Sequence, residues 1–500
     1  MSLFAKIFVD FYFGKVIAKK KLVLQGEIMV PVNKTIEPIK QSSTPFKVNG
    51  SKHVRVIEKT YQNNKASDYT EKLAELGKEF NYADNSNYYW VMPELSLLYG
   101  TPLYDAASST QKLALNHLYW VGNYNHTAVS EASTSMYNTV TNGVFRAIGG
   151  YEKLCDELDF ETEQESYHIR TFQRIGYKTK MAIVGKTTLG NSLHAKSEKE
   201  YQSWQKLLIP QSARNFFNLS EDSSPFSIYR DKTLSAIAKT MLRDKKQYYS
   251  QYLQELEDRD EPIPAPADGL AGRIAPRYWL RFFTIHWGIS PFMACQYYSL
   301  RYTANAILKN QEYPYVRYYR ELEQKGEYIP APTAVSYYHL LDEAFHTTIS
   351  QTLAKEMYKD FPKPTAYEKS VSGLIIYMIQ RNLLSGLSGI LPGRCVYDDE
   401  MLMVFYLKLL KSPLFGMNTK EALHWLEKCI CQEHEGYHIG LKYHQSLLEL
   451  MQKLFSQLDY QWKINRDMSI MTAGGSISKA VEKNSQAFKQ FAQSVTAQDS

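Results

Sequence analysis

The sequence predicts an all-α protein built around long helices that pack as a bundle. Apolar residues recur at helical spacing through most of the chain after about residue 64. Proline and glycine cluster between these stretches, as in "DRDEPIPAPADGLAG" at residues 258–272, and indicate that the helices end at defined loops. An apolar fraction of 44% and a charged fraction of 22% are those of a globular protein, and the length allows a large core.

The first 60 residues predict an accessory segment rather than part of the bundle. Residues 1–21 carry an apolar stripe at helical spacing followed by Lys19, Lys20 and Lys21. Such a basic amphipathic segment either docks on the protein's own core or contacts a membrane surface. Residues 22–60 alternate apolar and polar side chains with turn residues, which is typical of an extended arm.

Helices follow in order along the rest of the chain. They are predicted at residues 107–147, 151–175, 226–257, 277–311, 333–358, 366–388, 398–411 and 419–456. We therefore predict a bundle domain over residues 61–358, with a helical insertion at about 177–275. A C-terminal helical extension is predicted at 359–460, and a loose polar tail at 461–500.

Charge and cysteine content exclude several function classes. The net charge of +6 is spread along the chain, so no nucleic-acid partner is predicted. Five cysteines at irregular spacing indicate no disulfide framework, and a reducing cytoplasmic location is expected. No run of about 20 apolar residues predicts a membrane-spanning helix. Association with a membrane surface through the N-terminal segment remains an alternative.

Three of the Glu-x-x-His pairs in the sequence carry the strongest chemical signal. They are Glu165/His168, Glu343/His346 and Glu435/His438. Positions i and i+3 share one helix face, so a carboxylate and an imidazole can bind the same metal ion. A dinuclear site in a four-helix bundle takes two such pairs and one single Glu from each of two other helices. Glu131, 34 residues before Glu165, fits the first single Glu.

The stretch "HLLDEAFH" sharpens the second half of this pattern. His339, Glu343 and His346 are spaced i, i+4 and i+7, which places them within an arc of about 60° on a helix. The neighbouring residues are mostly apolar, so a solvent-facing polar stripe does not explain them. Asp342 lies off this line and is a candidate to orient a ligating histidine.

The last position of the site stays open at this point. No Asp or Glu occurs from Gly269 to Gln311, and the first acid is Glu312, two residues before Pro314 at the predicted helix end. Either Glu312 is a ligand, or the position is empty and an anion such as chloride occupies it. A further alternative uses Glu435/His438 on the fourth helix, with Glu343 as the single Glu of the third.

Three stretches resemble a known family. "TPLYDAASSTQKLALNHLYW", "EQESYHIRTFQRIG" and "HLLDEAFH", together with Glu131, resemble the p-aminobenzoate N-oxygenase (AurF-type) non-haem di-iron proteins, over roughly residues 98–176 and 280–350. The resemblance implies a ferritin-like four-helix bundle, here with a large helical insertion and a C-terminal helical extension. It implies as metal ligands Glu131, Glu165, His168, His339, Glu343 and His346. Glu312 is the candidate that would complete the set.

In its length, its insertion and the absence of acidic residues from its third helix, the chain most resembles the dimetal-carboxylate halogenases of cylindrocyclophane (CylC) type. That resemblance implies two iron ions, with manganese as the alternative, and O2 and halide as co-substrates. It implies chlorination of an unactivated carbon of a fatty acyl chain on an acyl carrier protein, in natural-product biosynthesis. The electron donor is not specified. The alternatives are a di-iron N-oxygenase or hydroxylase, and a non-catalytic ferritin-like metal-binding protein.

Overall fold

Long helices account for most of the computed structural model. It describes residues 52–190, 232–238, 240, 249–266, 277–391 and 399–499. The predicted N-terminal segment up to residue 51 and most of the predicted insertion lie outside these ranges. Within them the chain forms helices, turns and loops without any β-strand, which confirms the all-α prediction.

Seventeen α-helices with defined bounds are numbered here in chain order. They are α1 (Lys52–Ala66), α2 (Thr70–Glu79), α3 (Tyr82–Asn85), α4 (Pro102–Ala106), α5 (Ser109–Ile148), α6 (Glu152–Gly190), α7 (Gln251–Asp258), α8 (Arg277–Trp287), α9 (Pro291–Lys325), α10 (Ala331–Lys355), α11 (Ala366–Asn382), α12 (Asp399–Lys411), α13 (Thr419–Ile430), α14 (Glu435–Phe455), α15 (Lys463–Arg466), α16 (Ser469–Gly474) and α17 (Ile477–Asp499). Short 3-10 turns occupy Pro93–Leu95 and Met357–Asp360.

Helices α5, α6, α9 and α10 form a four-membered bundle. Helix α5 pairs along its length with α6, and α9 with α10, while α5 also packs on α9 and α6 on α10. A capping box at Ser108 begins α5, because its side chain and that of Gln111 satisfy each other's backbone N–H groups. Gly326, in the left-handed conformation at φ 64°, ends α9 and allows the short turn into α10.

Two hydrophobic clusters fill the two ends of this bundle and leave a polar layer between them. On α5, residues 115–128 belong to one cluster and residues 137–145 to the other. On α10, Val335 lies in the first cluster and Ile349 in the second. The same alternation holds on α6 and α9. All four helices therefore place their central turns at one level, where the buried side chains are polar.

Two predicted helices are each divided in the structure. Residues 277–311 do not form one helix, because the chain turns at Gly288 and Ser290 caps a new helix that begins at Pro291. Proline is favoured at this first position, where its missing N–H costs nothing. Residues 419–456 are likewise divided, since α13 ends at Ile430 and His434 accepts a hydrogen bond from the Gly436 N–H as the cap of α14.

The expected end of the third bundle helix near Pro314 is wrong. Helix α9 continues through Pro314 to Lys325, so Glu312 lies inside the helix and is only 2% exposed. Packing on α10 holds the helix together across the proline. Other helix bounds also move: α11 ends at Asn382 rather than 388, and residues 249–250 interrupt the helix predicted over 226–257.

Both ends of the described chain are more helical than the sequence predicts. Helix α1 begins at Lys52, inside the predicted extended arm, and buries Ile57. The residues predicted as a loose tail form α15, α16 and α17. Helix α17 buries Ala480 and Phe488 through an apolar stripe that the many small and polar residues obscure. None of the helices in the described ranges is long and apolar enough to cross a membrane.

Candidate metal centre

The polar layer of the bundle contains seven of the candidate residues that the sequence singles out. They are Glu131 on α5, Glu165 and His168 on α6, Glu312 on α9, and His339, Glu343 and His346 on α10. None of them is more than 5% exposed. Burying four carboxylates at one level costs a great deal of free energy unless cations compensate them. The layer is therefore built to hold positive charge.

Two overlapping groups of ligand atoms lie within this layer. Glu131, His168, His339 and Glu343 each offer one atom within 4.8 Å of the others. Glu165, Glu343 and His346 form a second group under the same limit. Glu343 belongs to both groups, so its carboxylate would be available to two metal ions.

One ring nitrogen of His168 and one of His346 each contact a buried side-chain oxygen. For His168, Nε2 lies 3.3 Å from Asp342 Oδ2. For His346, Nε2 lies 3.2 Å from Gln164 Oε1. In each ring Nδ1 then points at the carboxylates, and His346 Nδ1 lies 2.8 Å from Glu343 Oε1. Metal-binding histidines characteristically donate the other N–H in this way, which fixes the ring orientation. The orienting role predicted for Asp342 agrees with this contact.

His339 is also held by a buried oxygen at one ring nitrogen, but here that nitrogen is Nδ1 and Nε2 faces the other carboxylates. Its Nδ1 lies 2.8 Å from Glu312 Oε1, and its Nε2 lies 2.9 Å from Glu131 Oε1. Tyr124 donates its hydroxyl to the same Glu312 oxygen at 2.5 Å. Glu312 thus contacts the site through His339, and it is not a member of either group of close ligand atoms.

Several atoms of the layer have no hydrogen-bond partner. Glu131 Oε2, Glu165 Oε2, Glu312 Oε2 and His168 Nδ1 are all buried in this state. Unpaired buried polar atoms are rare in native proteins and need an explanation. Two cations bound by the carboxylate and imidazole atoms of the two groups would satisfy three of these four. The residues present therefore fit a dinuclear metal site, with donor types that suit iron or manganese.

The pKa values of several groups in the layer are raised. Burial opposes protonation of His168, but Asp342 and Glu165 outweigh it and raise its pKa to about 9. Burial likewise opposes protonation of His346, and Glu343 and Glu161 outweigh it and raise its pKa to about 10. Burial and the neighbouring Glu165 raise the pKa of Glu131 to about 8. At neutral pH these groups are therefore largely protonated.

Metal binding is consequently expected to release protons. An imidazole must be neutral to bind a metal ion, and His168 and His346 are protonated below pH 9 in the metal-free protein. The apparent affinity for Mn²⁺ should therefore rise with pH up to about 10, above which both imidazoles are already neutral in the metal-free protein. Calorimetric titration at pH 7 in two buffers of different ionisation enthalpy measures the release. A binding enthalpy independent of the buffer would contradict it.

The third Glu-x-x-His pair lies outside the centre. Glu435 and His438 are exposed at the start of α14, and His438 pairs with Glu433 at 3.0 Å. The alternative that made Glu435/His438 the fourth bundle helix is therefore wrong, because α14 is not one of the four helices around the polar layer.

Besides Gln164, three residues beside the centre have no role predicted from the sequence. Asn305 on α9 donates to Glu343 Oε2 at 2.9 Å. Arg301, one turn earlier, pairs with Glu161 at 2.5 Å and is 2% exposed. Two features of the sequence point to the Arg301–Glu161 pair. Glu161 lies four residues before Glu165, and Arg301 lies in a helix without acidic residues before Glu312.

Comparison with known proteins gives one match. A family model described as CylC-like acyl halogenase matches residues 52–492. No curated protein and no solved structure is similar enough to the chain to count as a match.

Proposed function

The chain belongs to the CylC-like acyl halogenase family, and on that premise we propose that it chlorinates an unactivated carbon of a fatty acyl chain carried by an acyl carrier protein. The observation that carries this proposal is the buried layer of carboxylates and imidazoles between two hydrophobic clusters. The product would be an intermediate of natural-product biosynthesis.

Two iron ions are the proposed cofactor, with manganese as the alternative. One ion would be held by Glu131, His168, His339 and Glu343, and the other by Glu165, Glu343 and His346. Bound iron would supply the O2-dependent removal of a hydrogen atom from a C–H bond, a reaction beyond the reach of protein side chains. The protein holds the ions, positions the acyl chain and excludes water.

For Glu312 we propose an orienting role. It accepts from His339 Nδ1 and from the Tyr124 hydroxyl, so His339 Nε2 stays directed at the ions. The third bundle helix then contributes Asn305, a neutral side chain, at the level of Glu343. One carboxylate fewer at the ions leaves a position and a charge for a halide. This supports halogenation over N-oxygenation or hydroxylation.

An acidic carrier protein is the proposed partner. Arg317 and Arg320 are exposed on α9, one to two turns beyond Glu312, and offer positive charge on the surface above the centre. Charge complementarity of this kind raises the association rate more than the final affinity.

The function is tested by product mass. Protein loaded with Fe²⁺ is given O2, a reductant, chloride and a fatty acyl carrier protein, and the acyl chain is analysed by mass spectrometry. We expect a chlorinated chain, replaced by a brominated one when bromide substitutes for chloride. An oxygenated product that persists without halide would overturn halogenation and favour a hydroxylase. Metal uptake with O2 consumption but an unchanged acyl or amine substrate would favour a metal-binding protein.

A further inference from the structure

A line of aromatic side chains leads from the candidate metal centre towards the protein surface. The ring of Tyr124 lies 6.2 Å from the ring of His339. Trp120 stacks on Tyr124 at 4.3 Å between ring centres, and Trp90 lies 5.9 Å from Trp120. Tyr82 lies 6.2 Å from Trp90. Each ring is thus in or near van der Waals contact with the next. We call these four residues the aromatic path.

The outer end of the aromatic path reaches solvent. Trp90 and Trp120 are fully buried, whereas Tyr82 is half-buried. Tyr82 borders a surface depression that Tyr177 and Lys178 also line. The path therefore spans the distance from the polar layer to a surface that an external molecule can touch.

Both terminal tyrosines donate their hydroxyls to a base. Tyr124 donates to Glu312 Oε1 at 2.5 Å. Tyr82 contacts His117 Nδ1 at 3.1 Å, while His117 Nε2 donates to the Tyr88 carbonyl at 2.8 Å. The carbonyl can only accept, so Nδ1 is the accepting nitrogen for Tyr82. Burial lowers the pKa of His117 to about 4, which keeps this nitrogen free of a proton at neutral pH.

The two central members are indoles, and an indole can give up an electron without first losing a proton. Their N–H groups are fixed by neutral acceptors. Trp120 donates to Ser336 Oγ at 2.9 Å, and Trp90 donates to the Asn85 carbonyl at 3.0 Å. Each tyrosine of the path thus has a base beside it that can take its proton on oxidation. Each tryptophan has only a neutral acceptor, which is sufficient because an indole need not lose its proton.

We propose that Tyr82, Trp90, Trp120 and Tyr124 conduct electrons one at a time between an external one-electron reductant at the surface and the metal centre. The need for such a path rests on the proposed function. Converting R–H, Cl⁻ and O2 to R–Cl and two waters consumes two electrons and three protons, and the electrons must come from outside. Electron transfer slows exponentially with distance, so several short steps between rings are far faster than one long step.

Each step balances within the path. Tyr124 gives an electron to the oxidised centre and its hydroxyl proton to Glu312 Oε1. Trp120 then gives an electron to the oxidised Tyr124, and the proton moves back from Glu312 to the Tyr124 oxygen. Trp90 restores Trp120, and Tyr82 restores Trp90 while its own proton passes to His117 Nδ1. The external reductant supplies an electron to Tyr82, and the proton returns from His117. One electron has entered and no residue has changed.

The path is tested in the metal-free protein, so its outcome does not depend on the proposed function. A ruthenium tris-bipyridine photosensitiser is attached through Ala83→Cys, an exposed position beside Tyr82. A laser flash excites it, and methyl viologen in solution accepts an electron from it, which leaves the oxidised ruthenium complex. Transient absorption should show tyrosyl radicals at Tyr82 and at Tyr124, and Tyr124→Phe should remove the second of them. Trp120→Phe should lower the yield of this radical at least tenfold, and Trp120→Tyr should retain it.

Trp425→Phe is the matched control, since Trp425 lies on α13 outside the path. Equal radical yields in Trp120→Phe and Trp425→Phe, or no radical at Tyr124 in the parent protein, would overturn the proposal. Iron-loaded protein provides a second readout. There, during the reaction with O2, which supplies the oxidant strong enough to take an electron from a phenol or an indole, delivery of electrons from hexaammineruthenium(II) to the centre should slow at least tenfold in Trp90→Phe. A failure of iron binding with an intact radical yield would count against the function and not against the path.

Discussion

Replacing Glu343 with Ala is expected to abolish binding of both metal ions while the helical content stays unchanged. Glu343 is the one residue that belongs to both groups of close ligand atoms. Loss of a partner that only orients a ligand already costs about 10- to 100-fold in metal affinity. Loss of a shared ligand should exceed that for each ion. His168→Ala should lower the affinity of one ion more than the other, because His168 belongs to one group only.

The metal content of purified variants, measured by elemental analysis beside circular dichroism, decides this prediction. Glu435→Ala is the matched control. It removes a glutamate from the same Glu-x-x-His spacing, but at an exposed position on α14. We expect it to bind metal as the parent protein does. Two ions retained by Glu343→Ala would show that the site lies elsewhere.

Replacing Arg301 with Met is expected to destabilise the fold by about 3–5 kcal/mol. Arg301 Nη1 lies 2.5 Å from Glu161 Oε2, and both side chains are essentially excluded from solvent. Without Arg301 the Glu161 carboxylate would stay buried with only a long hydrogen bond from Asn138 at 3.4 Å. The cost comes from the uncompensated charge left behind more than from the attraction lost.

Two further variants separate this explanation from a loss of packing. The double variant Arg301→Met/Glu161→Gln removes both charges and should recover most of the loss in urea unfolding. Arg146→Met breaks a pair with Asp159 at the same distance of 2.5 Å, between helices α5 and α6. Both partners are more than half exposed, so we expect a cost of only about 0–1 kcal/mol. Similar costs for Arg301→Met and Arg146→Met would refute the role of burial.

The sequence predicted the parts of the centre that lie on single helices. His339, Glu343 and His346 share a stripe because helical spacing alone decides which residues face together. The pair Glu165/His168 follows by the same rule. Glu131 needed the additional assumption of a four-helix bundle. In each of these cases the structure places the residue in the polar layer.

What the sequence could not predict depends on contacts between helices. Pro314 is typical of a helix end, yet packing on α10 carries α9 past it, so Glu312 lies inside a helix rather than at its end. Nothing in the sequence distinguishes Gln164 and Asn305 from other polar residues, because their hydrogen bonds to His346 and Glu343 form only when the helices pack. Local propensity was overridden in the same way at α17, where docking on the rest of the protein orders a stretch of small and polar residues.

The polar layer also determines how substitutions combine. Val144 and Val335 lie in different hydrophobic clusters, on opposite sides of that layer. Truncating both should change the free energy of unfolding by the sum of the separate effects, because distant sites without shared partners are additive. Glu343 and His346 share a hydrogen bond and a group of ligand atoms, so their effects should not add. Substitutions in the two hydrophobic clusters should thus act independently of each other, whereas the effect of a substitution in the polar layer should depend on the other residues of that layer.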